Sequence, residues 1–228
     1  MSRKSFISGA FILMAAGLAV RLLGFIYRIY LSKLIGAEGM GLFQLISPVY
    51  SLVILTLTSG VSIAVSKLTA EEYARRNFSN LRRITGMAFL LTVASALIVS
   101  AVMFLEADFI VKTVLKDERT RYALLLMIPC IPVISAASVL KGYFYGIQDV
   151  TPTAFSMIAE QIVRISLVML TAGHFVRLGL DYACALATVG MVVGEMSNLA
   201  VVFLYYRKRR LTRGGSPSGL MRKRKVLG

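Results

Sequence analysis

Six blocks of about twenty or more mainly apolar residues, separated by short breaks that hold most of the charge, constrain this chain more than any other feature. About 20 helical residues, rising about 1.5 Å each, cross the roughly 30 Å hydrocarbon core of a bilayer. Lipid offers no partner to a backbone N–H or C=O, so such blocks must satisfy their own hydrogen bonds as helices. The blocks run over residues 7–31, 42–66, 85–106, 122–143, 153–173 and 182–205. The expected fold is therefore an all-α integral membrane unit over residues 1–206, followed by a basic tail over 207–228.

Composition agrees, with 57% hydrophobic residues and only 16% charged. Arg3 and Lys4 before the first block have the look of a secretory signal. However, the apolar stretch runs on past Arg21 to Leu31, too long for a cleaved segment.

The net charge of +15 invites a nucleic-acid reading, but the basic residues sit in the breaks and favour alternate ones. Seventeen Lys and Arg fall on the side of the N-terminus, the second and fourth breaks and the tail. Six fall on the other side, and Arg21, Arg28 and Arg164 lie within spans. This bias places both termini in the cytoplasm of a multi-pass cell-membrane protein and makes nucleic acid an unneeded partner. The second break, "SKLTAEEYARRNFSNLRR", reads as a short amphipathic helix on the inner surface, its arginines suited to anionic membrane lipids. The third, "EADFIVKTVLKDERTR", reads as folding against the outer face, and "GAEGMG", Gly36 to Gly41, as a tight outer turn. Two prolines in "IPCIP" predict a kink in the fourth span.

Charges inside spans are the informative residues. An ionisable side chain at mid-bilayer costs about 2.5–3.5 kcal/mol on insertion scales and persists where it faces protein or water. Arg21 and Arg28 are seven residues apart, two helical turns, and share a face with Gly17 and Gly24. That stripe suits an anionic ligand such as a phosphate, which a guanidinium grips with a planar fork. Arg28, nearer the outer end, also fits a snorkel to the headgroups. Glu160 and Arg164 have the spacing and order of an i,i+4 pair, either a self-neutralising structural pair or part of a cavity. Glu195 has no basic residue within one turn. It must protonate or pair with a charge on another span, Arg21 being one candidate.

No motif points to covalent chemistry or to a cofactor. There is no P-loop, no GxGxxG after a strand, and no nucleophile beside a histidine. Cys130 and Cys184 lack a CxxC partner, and His174 is a single histidine, so neither a disulfide nor a metal is indicated.

Two stretches, "RLLGFIYRIYLSKLIGAEGMGLFQLISPVYSLVILTLTSGVSIAVSKLTAE" and "LKGYFYGIQDVTPTAFSMIAEQIVRI", resemble the polysaccharide-biosynthesis, stage V sporulation protein B-like group of the MOP exporter superfamily. The resemblance implies one six-helix lobe of a MATE-like two-lobe transporter, with the tail leading towards a missing C-terminal lobe. It implies no enzyme activity but a flippase for lipid-linked saccharide or lipid II-like peptidoglycan precursors, associated with spore cortex synthesis. The implied cavity residues are Arg21, which matches a first-span arginine of related flippases, and Arg28, which falls one residue later than the expected spacing. The second span, "PVYSLVILTL", lacks the arginines that those flippases carry there. Together with the residues singled out above, the substrate-binding candidates are Arg21, Gly24, Arg28, Glu160, Arg164 and Glu195. An ion-coupled small-molecule exporter, or a non-transporting partner in cell-wall assembly, is the alternative function.

Overall fold

The structure, a computed structural model, describes the backbone of residues 3–175 and 180–214, and the side chains of residues 7–171 and 186–209. His174, Arg177 and Cys184 therefore have side chains outside the described residues. Among the described residues there is no strand.

The first helical stretch, Arg3–Ala74, is two helices joined at one residue. Gly36 stands at φ 69°, ψ −174°, outside helical geometry and in a region that costs an L side chain dearly. The chain folds back there, giving α1 (3–35) and α2 (37–74). The expected turn over Gly36–Gly41 thus shrinks to Gly36, and Ala37 already belongs to α2.

Contacts establish the hairpin. A Cβ on Gly9 of α1 would lie 3.3 Å from Val150, and one on Gly146 would lie 2.5 Å from the Ser66 carbonyl of α2. Residues 9 and 66 therefore sit at the same end of the molecule, beside the 147–150 loop. Asp149 in that loop pairs with Arg209 near the far end of the chain. At the opposite end, Glu38 pairs with Arg119 at 2.5 Å and Asp108 with Arg121 at 2.7 Å.

The break after α2 differs from expectation. No separate surface helix forms over residues 66–83, because α2 continues to Ala74. Thr69 is fully buried against Gly146, so the inward face of α2 carries on past the apolar run and the charged residues are its solvated end. Arg76, at φ 58°, ends the helix. Asn77 then caps α3 (Phe78–Leu105), its side chain accepting a hydrogen bond from the Asn80 N–H at 3.2 Å. Tyr73 and Phe78 close the turn edge to face, 6.1 Å between centroids.

The third break packs as expected against its end of the bundle. A π turn at Ile110–Leu115 and a 3₁₀ turn at Glu118–Thr120 bury Val111, Leu115 and Thr120. The fourth span is interrupted at residues 128–129, giving α4 (Arg121–Met127) and α5 (Cys130–Gly146), as the prolines dictate. Then come α6 (Thr151–Phe175) and α7 (Leu180–Gly214). Residues 207–214, read from sequence as the start of the tail, continue α7.

α5 lies at the centre. Its Val139, Leu140, Tyr143 and Phe144 join Val65 of α2, Leu81 of α3 and Val202 of α7 in one apolar cluster. Gly142 and Gly146, four residues apart, let α2 approach until its backbone touches α5. Without a strong apolar drive between helices in lipid, close backbone packing of this kind supplies the attraction.

Candidate functional site

The six candidate residues form two groups on adjoining helices. The first group is the α1 stripe. Arg21 and Arg28 are both exposed, and among the described residues neither makes an ion pair or hydrogen bond. Arg21 is 18 residues from Arg3 and 14 from residue 35, which places it about 27 Å from one end of α1 and about 21 Å from the other. It stands near mid-depth. Gly24, between the two arginines, faces α6, where a Cβ would lie 3.4 Å from the Gln161 side-chain amide. Gln161 itself is 5% exposed, so the stripe flanks the seam between α1 and α6.

The second group is built by α6 and α7. Gly190 and Gly194 present a bare backbone to α6, where a Cβ would lie 2.6 Å from Val168 and 3.1 Å from the Glu160 carbonyl. This approach sets Glu195 and Asn198 of α7 against Glu160 and Arg164 of α6. Arg164 Nη2 donates to Glu160 Oε1 at 2.5 Å and stands 3.9 Å from Glu195 Oε1. Asn198 Nδ2 donates to Glu160 Oε2 at 2.7 Å and to Glu195 Oε2 at 3.4 Å. The charged side chains are 14–17% exposed and Asn198 is 1% exposed. One guanidinium and one amide thus serve two carboxylates, and among the described residues Arg164 Nε and Asn198 Oδ1 make no hydrogen bond.

The Glu160–Arg164 spacing therefore produces the pair it predicts. Glu195 finds its cation on α6, not on α1: Arg164 takes the place proposed for Arg21, because the glycine face of α7 docks on α6. The signal missed in sequence was the Gly190-x-x-x-Gly194 repeat, which marks the packing face one residue before Glu195. The structure unites Glu160, Arg164 and Glu195, and leaves Arg21 and Arg28 outside that network.

Chemically, the arrangement offers, among the described residues, two unpaired cations on one helix and beside it a mostly buried cluster in which two carboxylates share one guanidinium. Exposed guanidinium groups at this depth are stable only next to water or an anion, since hydrocarbon would not solvate them. Among the described residues, no group of three or more His, Cys, Asp and Glu side chains has the arrangement to hold a metal ion.

Residues 6–225 match the sequence profile of a family described as "Polysaccharide biosynthesis protein". The chain is 37% identical over 210 residues to stage V sporulation protein B of Bacillus subtilis, and 29% identical over 223 residues to the lipid II flippase MurJ of the same organism. Each match covers 92% of this chain, and the chain spans 40% of the length of each of these relatives. Among solved structures, it is similar to an outward-facing multidrug resistance MATE family transporter of the MOP superfamily, with a TM-score of 0.74 and 19% identity over 96% of this chain and 49% of that one. A MATE in complex with MaD3S gives 0.73 and 18%, over 96% and 50%. The helices thus have the fold of half a MATE transporter chain.

Proposed function

This chain belongs to the polysaccharide biosynthesis protein family, and from that premise we propose that it forms one lobe of a flippase for lipid-linked saccharide or peptidoglycan precursors. The observation that carries the reading is the pair of exposed arginines, Arg21 and Arg28, on the middle and later turns of α1, unpaired among the described residues. A second lobe facing α1 would enclose them in water. There the precursor's pyrophosphate would meet the two guanidinium forks, while Gly24 lets the Gln161 amide of α6 pack close to the stripe. The saccharide would occupy the cavity and the lipid tails would stay in the bilayer. The likeness to a lipid II flippase and to a stage V sporulation protein supports a cell-wall precursor, including that of the spore cortex, as cargo. No residue is assigned a covalent step.

The Asp149 end, which gathers Lys67, Arg75, Arg76, Arg82, Arg83 and Arg207, would face the cytoplasm. Cysteines introduced at Ser79 and at Lys116 test this: an impermeant thiol reagent added to whole cells should label position 116 and spare position 79. The reverse pattern would invert the topology.

The proposed role of Arg21 is tested in vesicles holding the full-length protein, this lobe joined to its second, by following a fluorescent lipid-linked saccharide. Arg21→Ala should slow translocation at least about tenfold, because one hydrogen bond to a charged group is worth that factor or more. An undiminished rate would overturn the assignment.

A second reading, an ion-coupled exporter, draws on Glu160 and Glu195 sharing a single guanidinium. It predicts that Glu195→Gln abolishes gradient-driven drug efflux while leaving precursor transport intact.

A further inference from the structure

At the Asp149 end, a groove of about 440 Å³ runs along the seam where α2 meets α5. We propose that this groove binds the phosphate headgroup of an anionic membrane lipid. The proposal rests on the groove's own residues and does not depend on the transport reading above.

The groove lies where two apolar runs end together, that of α2 at Ser66 and that of α5 at Gly146, and so at the level where headgroups meet hydrocarbon. Its polar wall is Ser62, Ser66 and Lys67 from α2 and Gln148 from the loop after α5, with Tyr145 beside them. No acidic side chain lines it. Ile63, 71% exposed, continues the wall towards the membrane interior, as an acyl chain requires.

The donors are unspent. Thr56, Thr58 and Ser59, higher on the same helix, donate to their own carbonyls four residues back at 2.7–2.8 Å. Ser62 and Ser66 make no such bond among the described residues, and Lys67 has no ion pair there, although Glu71 stands one turn further on. Ser62 and Ser66, four residues apart, share one face of α2, and Lys67 lines the same groove. Gln148 completes the rim from the loop after α5, its backbone held at φ 58° with its N–H bonded to the Tyr145 carbonyl at 3.0 Å. An ammonium, two hydroxyls and an amide lining one groove, with no carboxylate among the described residues that line it, fit a phosphodiester carrying net negative charge. A zwitterionic headgroup would bring its own cation against Lys67.

The experiment is native mass spectrometry of the delipidated full chain titrated with phosphatidylglycerol or phosphatidylcholine. The wild type should prefer phosphatidylglycerol. Lys67→Ala should weaken that binding at least about tenfold, and Ser62→Ala/Ser66→Ala should weaken it measurably. Lys112→Ala, at the opposite end, should bind as the wild type does. Equal affinity for the two lipids, or unchanged phosphatidylglycerol binding in Lys67→Ala, would overturn the proposal. So would full competition by millimolar inorganic phosphate, which would assign the groove to a soluble anion. Ser66→Leu, which fills the groove without removing the charge, should also block binding while circular dichroism reports an intact helical fold.

Discussion

Replacing Gly146 with Ala tests the packing that holds α2 to the centre of the lobe. The residue has ordinary negative φ, so an alanine there suffers no backbone strain. The obstacle is steric. The added Cβ would sit 2.5 Å from the Ser66 carbonyl oxygen and 2.6 Å from Thr69 Cβ, about 0.9 Å inside the 3.4 Å at which ordinary contact begins. Neither neighbour is the end of a flexible chain: one is backbone, and the other is the Cβ of a fully buried residue. The two helices must therefore move apart, loosening the contacts of Val65 with Leu140 and Phe144 in the same cluster. Forcing a methyl into a filled core costs about 1–3 kcal/mol. Against this, alanine gains up to about 1 kcal/mol of helix propensity over glycine. Gly17→Ala isolates that second term, because nothing lies within 4 Å of a Cβ there. SDS titration of the full chain in detergent micelles, followed by circular dichroism, should show Gly146→Ala unfolding well before the wild type and Gly17→Ala at or after it. Equal midpoints for the two variants would refute the argument that α2 and α5 touch through backbone.

Two further outcomes follow from the buried network and the helix cap. Arg164→Met leaves two buried carboxylates without their cation and should cost about 3–5 kcal/mol in the same assay, while adding Glu160→Gln to it should recover part of the loss. Asn77→Ala removes the side-chain acceptor for the Asn80 N–H and should cost about 1 kcal/mol, with Asn77→Asp close to the wild type.

The all-helical character of the apolar blocks and the hairpin at Gly36 were legible because apolar block length and a glycine in a short break each have one physical solution. The Glu160–Arg164 pair was legible for the same reason, since i,i+4 spacing within one helix fixes the geometry. What sequence reading missed depended on contact between segments. It extended the polar second break into a surface helix, because charge density conceals that Thr69 still faces Gly146, 77 residues away. It looked for the partner of Glu195 on α1, because two long-range contacts compete and only the Gly190 and Gly194 face decides between them. Hydropathy could not rank the helices by depth either. The most apolar stretches of Phe78–Leu105 and Glu118–Gly146 are almost equally apolar, yet 22% of the first and 67% of the second lie inside the molecule.

That last contrast sets which positions are free to drift. α5 meets other side chains on nearly every face, so each of its residues answers to a particular neighbour's shape, and swapping one apolar residue for another there should be selected against. The outward faces of α1 and α3 answer only to the requirement of being oily, and Leu, Ile, Phe and Met should interchange there at little cost. A substitution scan of this molecule should therefore show one intolerant axle surrounded by permissive helices, broken only where a glycine or an arginine is needed.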